Sequence, residues 1–114
     1  MFDETPISWE DFKARRPSDA ENAARLADLV RRARTVRAHG WDDYRYVWSS
    51  GEVAGVAYLL DDEDVLRDAD ETADSVLSRY ACDLFGVTGG HDDIAAGHPG
   101  TRAWFDHARQ EAER

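Results

Sequence analysis

Tyr44-Arg45-Tyr46-Val47-Trp48-Ser49-Ser50-Gly51-Glu52-Val53-Ala54-Gly55-Val56-Ala57-Tyr58-Leu59-Leu60 is the run on which strand and helix readings of this chain diverge. Its first part alternates. Tyr44, Tyr46 and Trp48 take one parity, and Arg45, Val47 and Ser49 the other, which is the period of a strand. Ser50-Gly51 then offers a tight turn. Val53 to Leu60 is apolar on both faces and reads as the inner strand of a hairpin. A helix opening there is the alternative, because a short apolar run carries no decisive period.

The flanks are helical in pattern. Upstream, Ser18-Asp19-Ala20-Glu21 has the spacing of a capping box. Leu26, Leu29, Val30, Ala33 and Val36 then form one stripe, so the spacing predicts a helix from Asp19 to about His39, closed by Gly40. Before it, Ser8 caps a short helix that ends at Pro17, with Ile7 and Phe12 placed as a hydrophobic staple. Downstream, Asp61 is placed to cap a short helical turn around Val65 and Leu66. A long helix starts at Asp70 or Thr72. Its stripe is Ala73, Val76, Leu77, Tyr80, Ala81 and Leu84, and it ends at Gly86. Five of the eight glycines fall between Gly86 and Gly100, which reads as a loop with a short helical turn at Asp92 to Ala96. Thr101 is expected to cap a last helix to about Glu113, with Trp104, Phe105, Ala108 and Ala112 inward. The expected fold is α+β, in the order α-α-β-β-α-α: a small β-hairpin packed against four or five helices in a single domain, residues 1–114.

The run His39-Gly40-Trp41 followed by Ser50-Gly51-Glu52-Val53 resembles short uncharacterised actinobacterial domains that have a helix, a Gly-Trp pair and a small hairpin. The resemblance implies the hairpin, and it implies no activity and no site residue.

Charge narrows the partners. The net charge is −10, distributed as −4 over residues 1–11, +5 over 12–39 and −11 over 40–114. So acidic a body repels a phosphate backbone, so no direct nucleic-acid contact is expected; a basic protein surface suits it better. The N-terminal residues carry Asp3, Glu4, Glu10 and Asp11 with no apolar core, unlike a signal peptide. The longest apolar run is too short for a membrane span, and a cytoplasmic, membrane-free protein is the expectation. The single cysteine, Cys82, excludes an internal disulfide. Its neighbour Asp83 disfavours a thiolate, so packing is its expected role.

Few residues invite chemistry. His91, Asp92, Asp93 and His98 form the one cluster with metal-ligand character, and His107 follows on the last helix. Their spacing matches no zinc signature, and a solvated loop with a capping aspartate is the expectation. The Gly86–Gly100 segment has no lysine and is no phosphate loop. Asp61 to Asp74 holds eight carboxylates against Arg67, but an EF-hand started at Asp62 puts Arg67 at its sixth position, where glycine is required. No nucleophile elbow is present.

What remains is contact chemistry without a cofactor. The sequence suggests a non-enzymatic acidic interaction protein, of inhibitor, immunity or adaptor type, that meets a basic surface of another protein, such as a nucleic-acid-binding one. Asp61, Asp62, Glu63, Asp64, Asp68, Asp70 and Glu71 are its candidate contact residues, joined by the aromatics Trp41, Tyr44, Tyr46 and Trp48. The alternatives are a metal-dependent enzyme or metal-binding protein using the His91/Asp92/Asp93/His98 loop, and a structural subunit that completes a homo-oligomer.

Overall fold

The computed structural model describes residues 8–114, and among them it contains six helices and no strand: α1 (Trp9–Ala14), α2 (Asp19–His39), α3 (Ser50–Leu59), α4 (Glu63–Asp68), α5 (Ala73–Ala95) and α6 (Pro99–Ala112). The expected α+β class and its hairpin are therefore wrong: the fold is all-α.

Both halves of the supposed hairpin fail for local reasons. Ser49 is the N-cap of α3. Its hydroxyl accepts the Glu52 amide at 3.2 Å, and the Glu52 carboxylate accepts the Ser49 amide at 2.9 Å. That reciprocal capping box brackets Ser50-Gly51, the pair read as a turn, and it starts a helix. The helix is apolar on both sides because it is buried on both sides. Val53 to Ala57 and Leu59 are all buried, and α3 touches α2, α4, α5 and α6. A helix apolar all round belongs at the centre of a bundle. Residues 41–48 coil into successive turns instead of extending. Amides of Tyr44 and Arg45 donate to the Trp41 carbonyl, and those of Val47 and Trp48 to the Tyr44 carbonyl. Tyr44 and Trp48 still meet, but at helical spacing, stacked with centroids 5.0 Å apart.

The flanking helices follow the sequence closely. Ser8 and Ser18 cap α1 and α2, each accepting an amide three residues on at 3.1 Å. Ile7, the other half of the proposed staple, lies outside the described residues. Gly40 closes α2 at φ +80°, and α2 buries Leu29, Val30, Ala33 and Val36. Thr72, not Asp70, caps α5. The cap of α4 is Asp62 rather than Asp61, its carboxylate accepting the Val65 amide.

At Gly86 the helical geometry of α5 breaks, as expected, at φ +78°. The chain does not loosen there. It re-enters helix to Ala95 and folds back, so that Gly90 sits against the Cys82 backbone with no room for a side chain. Gly86 is also where α1 arrives, since a Cβ there would stand 1.9 Å from the Arg15 carbonyl oxygen. Its neighbours therefore require both a left-handed φ and an absent side chain.

The last helix begins earlier than expected, at Pro99, which suits the first helical position. Thr101 is no cap but a fully buried residue inside α6. The cap comes from across the loop. The Asp93 carboxylate accepts the Gly100 amide at 2.7 Å, the Thr101 amide at 3.1 Å and the Thr101 hydroxyl at 2.6 Å. At the other end, Arg34 donates to the Glu111 carbonyl and Arg37 to that of Ala112. Arg109 donates to the Leu59 and Tyr58 carbonyls at the end of α3. Cations from neighbouring helices thus satisfy carbonyls that the helix ends leave open. The core lies where α2, α3, α5 and α6 converge, on Leu29, Leu59, Leu77, Leu84 and Phe105.

Candidate interaction surface

The acidic and aromatic candidates, separated in sequence, meet in the fold. The indole of Trp41 donates to the Asp62 carboxylate at 2.9 Å, and Arg45 pairs with Asp68 at 3.0 Å. These two bonds tie the 41–48 turn to both ends of α4. Tyr46 and Arg45 share a depression of about 340 Å³ with Val65, Asp68 and Ala69.

Within this surface the residues divide by role. Trp41 and Trp48 pack on the core, edge to face, and Tyr44 stacks on Trp48. The Arg32 guanidinium lies 4.9 Å from the Trp48 ring centroid. These three aromatics anchor the turn. Tyr46 and Val47 project from it, 87% and 79% exposed. The alternation placed them on opposite faces, and nothing in it marked Val47 for the surface.

The carboxylates divide too. Asp62 is half-buried, holding the α4 cap and the Trp41 indole, and is not the freely exposed side chain that the run of charge suggests. Glu71 is nearly enclosed and accepts bonds from Arg79 and Ser75. Glu63 and Asp70 are exposed. Asp64 is exposed with Arg67 beside it at 3.2 Å, and Asp61 is exposed with Arg109 at 3.8 Å. Asp61 and Asp70 take left-handed backbone, φ 55° and 58°, at the corners flanking α4, a conformation that aspartate tolerates better than most residues. Exposed pairs of this kind contribute little to stability. The outward charges are Asp61, Glu63, Asp64, Asp68 and Asp70, with Asp42 and Asp43 exposed on the adjoining turn.

The alternative metal set does not converge. His91 and Asp92 are exposed on the second limb of α5. Asp93 is occupied with the α6 cap. Burial disfavours its ionised form, but the Thr101 hydroxyl and the Gly100 and Thr101 amides outweigh burial and hold its carboxyl below the ordinary aspartate range. His98 is buried, adopts φ 63°, and shares a hydrogen bond with the Ser78 hydroxyl at 2.9 Å. Among the described residues no three His, Cys, Asp or Glu side chains are gathered as a metal would need. Cys82 is half-buried under Gly90.

No helix among the described residues is long and apolar enough to cross a membrane. No protein-family model, curated protein or solved structure matches this chain, so the reading of its function rests on its own residues.

Proposed function

We propose that this chain is a non-enzymatic interaction protein whose 41–48 turn and acidic α4 bind a basic surface of another protein. One observation carries the reading. Tyr46 and Val47 stand exposed at 87% and 79% on a turn that is hydrogen-bonded internally and braced against α4. An exposed tyrosine on a rigid support loses little conformational freedom on binding and is a favoured contact anchor. The carboxylates around it supply steering toward a cationic partner and select against acidic ones. A protein that shields a nucleic-acid-binding groove with its own carboxylates has this combination of features. The partner-contact set is Tyr46 and Val47 with Asp61, Glu63, Asp64, Asp68 and Asp70; Trp41, Tyr44, Trp48, Asp62 and Glu71 hold the surface in shape.

The test is capture from native lysate, identification of what is captured, and affinity measurement with that purified partner. Glu63→Lys, Asp64→Lys and Asp43→Lys together, all at exposed positions with ordinary backbone, should leave the melting transition close to wild type. They should slow association, and the wild-type affinity should fall as salt rises. Tyr46→Asp should weaken the complex mainly by faster dissociation. A partner bound equally well by the triple reversal and by Tyr46→Asp would show that the contact lies elsewhere.

A further inference from the structure

α2 and α6 enclose an open groove of about 610 Å³, which reaches Ala38 and His39 at the end of α2. Its apolar floor is Leu26, Ala27, Val30 and Ala38. Leu26 to His39 runs along α2 for about 20 Å, at 1.5 Å per helical residue. Its rim carries Arg31 and Arg34 together with His39 and His107; Arg31 is paired with Asp28 at 2.6 Å, Arg34 donates to the Glu111 carbonyl, and Glu111 is the one carboxylate among the lining residues. Arg114 lies 3.5 Å from Glu111, which offsets part of that charge. In a chain of net charge −10, this is an apolar channel edged by the minority charge.

We propose that the groove receives the Tyr46–Val47 turn of a second copy of this chain, joined head to tail. The proposal rests on the reading of that turn as a contact surface, and it names the basic surface the turn meets when no foreign protein holds it. The two faces complement each other. One projects an aromatic and a β-branched side chain from a turn that bears the exposed Asp42 and Asp43 beside the internally paired Arg45 and Asp68; the other is an apolar channel with arginines at its edge. A symmetric pairing of groove on groove would set Arg31 and Arg34 against their own copies, which disfavours it. The net charge of each copy opposes approach. However, the molecule extends 51 Å along its longest axis, and charges are screened beyond about 8 Å at physiological salt, so the local match governs the contact. A head-to-tail contact leaves one free turn and one free groove on every open assembly, and so it adds further copies until the rotation closes it into a ring.

That asymmetry gives the experiment. Ala27→Trp fills the groove and leaves the turn; Tyr46→Asp with Val47→Asp removes the turn and leaves the groove. All are exposed positions, and Ala38→Glu, also exposed and lining the groove, serves as a second groove variant should Ala27→Trp fail to fold by circular dichroism. In sedimentation velocity at physiological salt, wild type should gain mass with concentration. Each variant alone should remain monomeric, its self-association weakened by at least about tenfold. An equimolar mixture of the groove and turn variants should form a heterodimer and stop there. Wild type that stays monomeric, association that survives both groove variants, or a mixture that stays monomeric each overturns the head-to-tail contact. None of these outcomes touches the lysate capture of a foreign partner, so the two readings fail separately.

Discussion

Gly55 lacks a side chain because Tyr80 occupies its place. A Cβ at Gly55 would lie 2.1 Å from the Tyr80 phenol oxygen and 2.7 Å from its ring carbon. The phenol donates to the Gly51 carbonyl at 3.3 Å. Burial, followed by the charge of Asp83, pushes the Tyr80 phenol up to about 12. Its ring contacts Phe105 edge to face at 5.0 Å, and Trp104 at 5.7 Å. Alanine ordinarily favours a helix over glycine by nearly 1 kcal/mol, but here overpacking against Tyr80 outweighs that gain. Gly55→Ala is expected to cost about 1–3 kcal/mol in urea unfolding, with part of the loss recovered by Tyr80→Phe in the same chain. A stabilising Gly55→Ala would mean that α3 and α5 do not approach this closely.

The elements are fixed at their ends. α6 has no side-chain cap at its own N-cap residue, His98, and takes Asp93 from the preceding helix instead. Because the folded Asp93 carboxyl ionises at lower pH than an unfolded one, its contribution to stability is complete above the unfolded value, near pH 4, and is lost as pH falls through the folded value. Asp28 has the same sign: burial raises its carboxyl, and the hydrogen bonds and charges of Arg32 and Arg31 lower it further than burial raises it. Asp93→Asn should therefore destabilise the protein by about 1 kcal/mol at neutral pH. Its deficit relative to wild type should shrink below about pH 4, as the wild-type carboxylate is protonated. A deficit that stays constant from neutral pH to about pH 3 would remove the electrostatic account of this cap.

At the scale of the whole molecule, four helices share one core with α3 at its centre. Leu29 on α2 is buried at 3% exposure in the cluster that also holds Leu59, Leu77, Leu84 and Phe105. Leu29→Ala is expected to cost about 2–5 kcal/mol, measured by chemical unfolding, as loss of a buried leucine side chain does. A loss under about half a kcal/mol would place the α2 stripe at a solvent-facing surface. The same packing brings the 41–48 turn against α4 and leaves the channel between α2 and α6 open.

Helices α1, α2 and the first limb of α5 could be read from the residues because their signals are local: Ser8, Ser18 and Thr72 as caps, Gly40 and Gly86 as ends, and stripes at helical spacing facing one core. The sequence also determined the excess of carboxylates and the absence of a disulfide. Helix α3 has a local signal in Ser49 and Glu52 at capping-box spacing, which the alternation from Tyr44 to Ser49 masks. Its apolar run has no period, because burial on every side erases the polar face that would show one. Two matters were left to tertiary structure. The first is the role of each carboxylate: Asp62 and Glu71 are drawn inward by partners distant in sequence or on the next helix, Trp41 and Arg79, while Glu63 and Asp64 between them remain outside. The second is the fate of each aromatic in the 41–48 turn. Successive turns rather than a strand set Tyr44 and Trp48 together against the body and send Tyr46 out, and that geometry depends on Asp62 and Asp68 being present on α4 to hold the turn.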